Sequence, residues 1–134
     1  MINNSTSGVE KMTETLYERM GGYNAISAAV DDLMARMEKD GHLAKYFVGH
    51  GNDSKLRLRQ LQVEMICKAT GGPCTYLGRD MKTVHKGMGI NGVDWQAMIT
   101  HLIGVLDSFK VQDSEQKEVL KLLNSVKKDI VEMP

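Results

Sequence analysis

Apolar positions along this chain recur every three or four residues almost throughout, the spacing of one helix face. Residues 23–39 put Ile26, Ala29, Val30, Leu33, Met34 and Met37 on one side, which predicts a long amphipathic helix. Residues 94–109 do the same with Trp95, Met98, Ile99, Leu102, Ile103 and Leu106, and Asp94 is the predicted N-cap. A last helix over 114–131 carries Val119, Leu122, Leu123, Val126 and Ile130, with Asp113 and Gln116 as a capping-box variant at its start. No stretch alternates apolar and polar residues for long enough to predict a strand. The fold class expected is all-α.

The segment from about Ser54 to Thr70 is different. Projected at about 100° per residue, Leu58, Leu61, Gln62, Met65 and Ala69 form one stripe. Leu56, Val63 and Cys67 form a second on the far side, with Ile66 between them and Arg57, Glu64 and Lys68 in a narrow polar arc. A helix apolar on two sides packs against two things. One is the core. The other is a further helix or a large flat apolar ligand. Glycines separate the helices: Gly21-Gly22 before the first long one, Gly71-Gly72-Pro73 after the two-sided one, and Gly87, Gly89 and Gly92 after His85.

The chain has 134 residues, with 42% hydrophobic and 25% charged. That predicts one domain over 14–134, preceded by a polar, disordered tail over 1–13. Lys+Arg and Asp+Glu both number 17, so charge balance gives no support for a nucleic-acid partner. No apolar run approaches a membrane span, and the N-terminus lacks a secretory pattern, so a cytoplasmic protein is expected. In that setting Cys67 and Cys74 read as reduced thiols rather than a disulfide.

The stretch His85-Lys86-Gly87-Met88-Gly89-Ile90-Asn91-Gly92 contains the spacing of a dinucleotide-binding loop. Such a loop needs a buried strand before it, and Met81-Lys82-Thr83-Val84-His85-Lys86 is a poor one. On a helix, His85 instead shares a face with Met81, Val84 and Met88. It is then either a core histidine satisfied by a backbone carbonyl or an axial ligand to haem iron. Haem suits a histidine on one helix and a mostly apolar wall with one amide, Gln62, on another. No Cys/His cluster or two-histidine carboxylate set suggests zinc or non-haem iron.

In order and spacing, several segments carry a specific resemblance over about residues 15–125. They are Leu16-Tyr17-Glu18-Arg19-Met20-Gly21-Gly22, Tyr46-Phe47, Gln62, Gly71-Gly72-Pro73, and Tyr76-Leu77-Gly78-Arg79-Asp80-Met81 running on to His85-Lys86-Gly87-Met88-Gly89-Ile90. The chain resembles the group I truncated haemoglobins, short globins with a two-over-two helical sandwich. The resemblance implies that His85 is the proximal iron ligand and that Phe47 packs on the haem face. It implies that Gln62 donates a hydrogen bond to bound ligand and that Leu58, Leu61 and Met65 line the distal side. Tyr76, Met81, Val84, Ile90, Trp95 and Met98 would line the proximal side and haem edge.

The chain also departs from the family. Met34 stands where a distal tyrosine is usual, and a thioether is no donor. Met34 is also a candidate sixth iron ligand. Met65 and Ile66 replace the phenylalanines typical of a gated tunnel, and Leu61 replaces a basic residue that pairs with a propionate. Arg57, Arg59, Arg79 and Lys82 are the substitutes, with surface charge as their plainer role. His101 lies off its apolar stripe and is expected to be exposed; His42 and His50 lie in polar connections. The last helix has no histidine for covalent attachment, so non-covalent haem b is expected.

The function expected is reversible binding of dioxygen or another diatomic gas, nitric oxide or carbon monoxide, at ferrous iron. A second reading is a nitric oxide dioxygenase served by an external reductase. A third is a cofactor-free helical interaction domain.

Overall fold

The computed structural model describes residues 14–133, and the predicted polar tail lies outside them. Among the described residues there are six α-helices: α1 Leu16–Arg19, α2 Gly22–Lys39, α3 Asn52–Ala69, α4 Met81–His85, α5 Gly92–Ser108 and α6 Asp113–Ile130. A 3₁₀ turn, Ala44–Tyr46, lies between α2 and α3. The only pairing of extended chain among these residues is an isolated parallel bridge between Asn91 and Met133. No helix is long and apolar enough to cross a membrane.

Local chemistry explains the ends. Thr15 caps α1 in a capping box with Glu18. Gly21, with φ +106°, supplies the left-handed residue from which α2 starts. Gly71, with φ +93°, closes α3 as its sequence predicts. Two predicted caps differ. α5 is capped by Asn91, and Asp94 is the third helical residue, completing a capping box from inside the helix. α6 starts from Gln112 with no side-chain cap. Gln116 instead donates to the Val111 carbonyl at 3.0 Å and to Asp107 at 2.8 Å, bracing the preceding turn.

α2 packs on both α3 and α5, while α6 takes α4 and α1. The main core is the predicted face of α2 (Ile26, Val30, Leu33, Met34 and Met37) closed by Leu43, Val63 and Val105. A second, smaller core joins Ile90, Trp95 and Ile130. Tyr46 and Met98 pack against both. Arg19 bridges Glu115 at 2.7 Å and Glu118 at 2.5 Å, fastening α1 to α6.

The cysteines correct an expectation. Cys67 and Cys74 form a disulfide. The tight turn at Gly71-Gly72-Pro73 folds the chain back on the last turn of α3 and brings the two Cα atoms to 5.8 Å, within disulfide reach.

Candidate functional site

α4 is a short helix whose start is fixed by Asp80, which accepts from the Thr83 amide at 3.3 Å and from its hydroxyl at 2.6 Å. His85 is its last residue and is half-buried. Its Nδ1 lies 2.8 Å from the Met81 carbonyl oxygen. A carbonyl only accepts, so Nδ1 carries a proton, and in a neutral imidazole the lone pair is then on Nε2. The backbone carbonyl therefore satisfies one ring nitrogen and leaves the other without a partner of its own, an arrangement in which a ligating imidazole gains basicity.

α3 is two-sided. Val63 and Cys67 are fully buried on the core side. Leu58, Leu61, Gln62 and Met65 share the other side and are half-buried. Leu58 packs against the main core from its edge, whereas Leu61 and Met65 pack against neither core. Leu56 departs from the predicted second stripe: it is 64% exposed, near the start of α3, where residues 52–54 and Arg57 are exposed as well. Polar side chains of α3 pair with α2 and with one another. Arg59 holds Asp31 at 2.8 Å, and Gln60 donates to Tyr23 at 2.9 Å and to Glu64 at 3.3 Å. Gln62 takes part in none of these.

Between α2 and α3, the 3₁₀ turn ends on Phe47, which packs against the main core. Beside it, the Tyr46 hydroxyl donates to Asp94 at 2.6 Å. Asp94 is 2% exposed, and it also accepts from the Asn91 amide. The Tyr46 hydrogen bond, followed by the Asn91 amide and the nearby Lys45 and His42, holds the Asp94 carboxyl below the usual carboxylate range against the opposing effect of burial. Burial, reinforced by Asp94, pushes the Tyr46 hydroxyl up to about 12. A buried aspartate at a helix start reads in sequence as a cap, so its role in fastening this corner to α5 was hidden.

Of the remaining candidates, Ile90 and Trp95 are buried in the second core, with Met81 and Met98 packed against it. Tyr76 turns back on its own loop and donates to the Arg79 carbonyl at 2.6 Å. Val84 is 41% exposed, the outward edge of α4. Met34 is 6% exposed within the main core. Arg59 is committed to Asp31, which leaves Arg57, Arg79 and Lys82 as the exposed cations of the candidate set. His50 lies 2.6 Å from Ser54. His101 corrects an expectation: its side chain is largely covered, and Nε2 lies 2.5 Å from Asp40, tying α5 to the end of α2. Two surface depressions, one beside Lys127 and Lys128 and one beside Arg36 and His101, contain none of the candidate residues.

Among the described residues no three His, Cys, Asp or Glu side chains gather as a metal set. A single oriented histidine fits instead a group that brings its own equatorial ligands. Half-buried Leu61 and Met65, packed against neither core, suit the apolar face of such a group.

The bacterial-like globin family matches residues 15–132. A group 1 truncated haemoglobin from Tetrahymena pyriformis is 29% identical over 118 residues, covering 88% of this chain and 95% of the relative. The group 1 truncated haemoglobin GlbN of Mycolicibacterium paratuberculosis is 33% identical over 106 residues, covering 79% and 76%. The crystal structure of the Tetrahymena pyriformis protein in its Fe(III) form matches with a TM-score of 0.81 over 88% of this chain and 98% of that one, at 29% identity. The 2/2 haemoglobin from Synechococcus sp., in the cyanomet state with covalently attached haem, matches at 0.79 and 25% identity over the same shares. The arrangement of α2 and α3 with α5 and α6 is thus the two-over-two sandwich that the sequence predicts.

Proposed function

The chain belongs to the bacterial-like globin family, and from that premise we propose that it is a truncated haemoglobin that binds haem b without a covalent bond and a diatomic gas reversibly. Haem, when bound, supplies a ferrous iron that takes up dioxygen, nitric oxide or carbon monoxide. One observation carries the reading: His85 Nδ1 is engaged by the Met81 carbonyl at 2.8 Å, which leaves Nε2 as the ligating atom.

The chain's own residues then divide the work. His85 holds the iron, with its ring angle set by Met81. Leu58, Leu61 and Met65 exclude water from the distal side. Gln62, half-buried and outside the side-chain pairs of α3, donates to the bound gas. Met34 adds no donor there. Phe47 would pack against haem, while Tyr76, Met81, Val84, Ile90, Trp95 and Met98 would line the proximal side and edge. Arg57, Arg79 and Lys82 are the cations available to the propionates. α6 contains no histidine to attach haem covalently, so non-covalent haem is proposed here although the Synechococcus relative carries covalently attached haem.

The test is an absorption spectrum of ferric, ferrous and ferrous–CO protein, with His85→Ala alongside. A Soret band that shifts with CO, and haem affinity weakened by more than about tenfold in the variant, are expected. No haem band under any loading overturns the proposal. Nitric oxide consumption with an added reductase separates gas binding from dioxygenase turnover.

A further inference from the structure

The glycine turn after His85 does bind an anion, but one from the chain itself. Glu132 lies just beyond α6. Its Oε2 accepts from the Gly87 amide at 2.9 Å and its Oε1 from the Gly89 amide at 2.8 Å. Both glycines have positive φ, +82° and +71°, so their amides project to one side as a nest. An added Cβ at either would meet nothing within 4 Å. These positions need glycine for backbone conformation rather than for room.

The backbone beside the carboxylate is also joined. Glu132 N–H donates to the Ile90 carbonyl at 2.9 Å, Met133 N–H to the same carbonyl at 3.2 Å, and Gly92 N–H to the Met133 carbonyl at 3.1 Å. The C-terminal segment therefore grips both ends of the turn that connects His85 to α5. Apart from its packing on α6 and Met81 against the second core, α4 has little else to hold it. It is five residues long and has no fully buried residue, and a helix that short does not persist unaided. The Met88 amide reaches back to the His85 carbonyl at 3.2 Å, so the turn continues directly from the histidine. The two amides hold the Glu132 carboxyl below the usual range, with nearby Lys86 adding to the effect.

We propose that Glu132 is a positioning residue for His85, its carboxylate clasping the Gly87 and Gly89 amides and so setting the angle and tether of the imidazole. This rests on the reading of His85 as the proximal ligand. A free turn would let the end of α4 fray and the ring swing. The clasped turn presents one ring orientation.

The test uses the full chain, with Glu132→Ala and Glu132→Gln. Amide hydrogen exchange is followed at Gly87 and Gly89, with Val63 as a core reference. Haem loss from ferric holoprotein to excess apomyoglobin and the Fe–imidazole stretching band of the ferrous form are the other two readouts. In Glu132→Ala the glycine amides should exchange about tenfold faster or more, with Val63 unchanged. Haem loss should quicken several-fold and the stretching band should shift or broaden. Glu132→Gln keeps one acceptor oxygen and should fall between.

Faster glycine exchange with wild-type haem loss and band overturns the proposal, leaving Glu132 as a C-terminal latch. Unchanged glycine exchange overturns it as well. If Glu132→Ala loosens Val63 too, Glu132→Gln decides, and wild-type values there count against the clasp. In His85→Gly supplied with free imidazole the ligand is untethered, so adding Glu132→Ala should leave the band in place. A wild-type band in His85→Gly without imidazole sinks the ligand assignment instead.

Discussion

Gln62 and Gly72 show how differently two residues of one region are constrained. Gln62 has no share in the side-chain pairs that brace α3, so Gln62→Leu should leave the melting temperature unchanged or slightly raised. If its amide serves the bound gas, losing one hydrogen bond should quicken dioxygen release about tenfold. Stopped-flow dissociation rates check this, and an unchanged rate removes Gln62 from the distal site. Gly72 is constrained by space. A Cβ there would lie 2.4 Å from Tyr17 Cδ1 and 2.7 Å from Cys67 Sγ. Cys67 is not free to retreat, being fully buried in its disulfide, and the Tyr17 backbone beside the ring is held by the Thr70 carbonyl at 2.8 Å. Gly72→Ala should cost about 1–3 kcal/mol by overpacking, visible as a fall of several degrees in thermal melting. An unshifted melt would mean that the turn relaxes without strain.

The first turn of α5 works as a junction between elements. Asn91 and Asp94 cap each other reciprocally, and Asp94 reaches across to Tyr46, so the Phe47 corner moves with α5. Lys45, 3.7 Å from Asp94 and 5.2 Å from the Tyr46 ring centroid, adds little because it is 58% exposed. The folded Asp94 carboxyl titrates below its unfolded value. Its stabilisation is therefore complete above the unfolded pKa, about 3.9, and fades as pH falls through the lower folded value. Asp94→Asn should be less stable than the wild type by about 1–3 kcal/mol at neutral pH. The two stabilities should converge under acid. Urea unfolding at neutral, mildly acidic and strongly acidic pH checks this, and parallel pH profiles would assign the acid sensitivity elsewhere.

For the whole molecule, the apolar side of α3 that reaches neither core is the weak seam. Leu61 and Met65 are half-buried, and α4 relies on α6 and the C-terminal segment rather than on α3. A group that fills the seam binds only the folded chain and stabilises it by mass action, about 4 kcal/mol at a thousandfold excess over its dissociation constant. Removing haem should therefore lower the melting temperature by roughly 10–20 °C. Circular dichroism of apo and loaded protein measures it, and equal melting temperatures would argue against haem binding at this seam.

Local periodicity and glycine chemistry determined the four long helices, the left-handed turn at Gly71, the two-sidedness of α3 and the place of His85 at a helix end, but not the short α1 or the 3₁₀ turn. Each depends on residues within a turn or two of one another. Other features depend on positions far apart in the chain, and only the tertiary structure decided them. Asp94 is buried by Tyr46, 48 residues away; His101 is covered through Asp40, 61 residues away; and Glu132 reaches Gly87 across 45 residues. The Cys67–Cys74 pairing is local in number but needed the turn's actual path. Leu56 lost its predicted core because periodicity marks a face without saying what packs beneath it. The sequence likewise put His85 forward as the candidate ligand, whereas which of its ring nitrogens meets a backbone acceptor is decided by the position of the Met81 carbonyl.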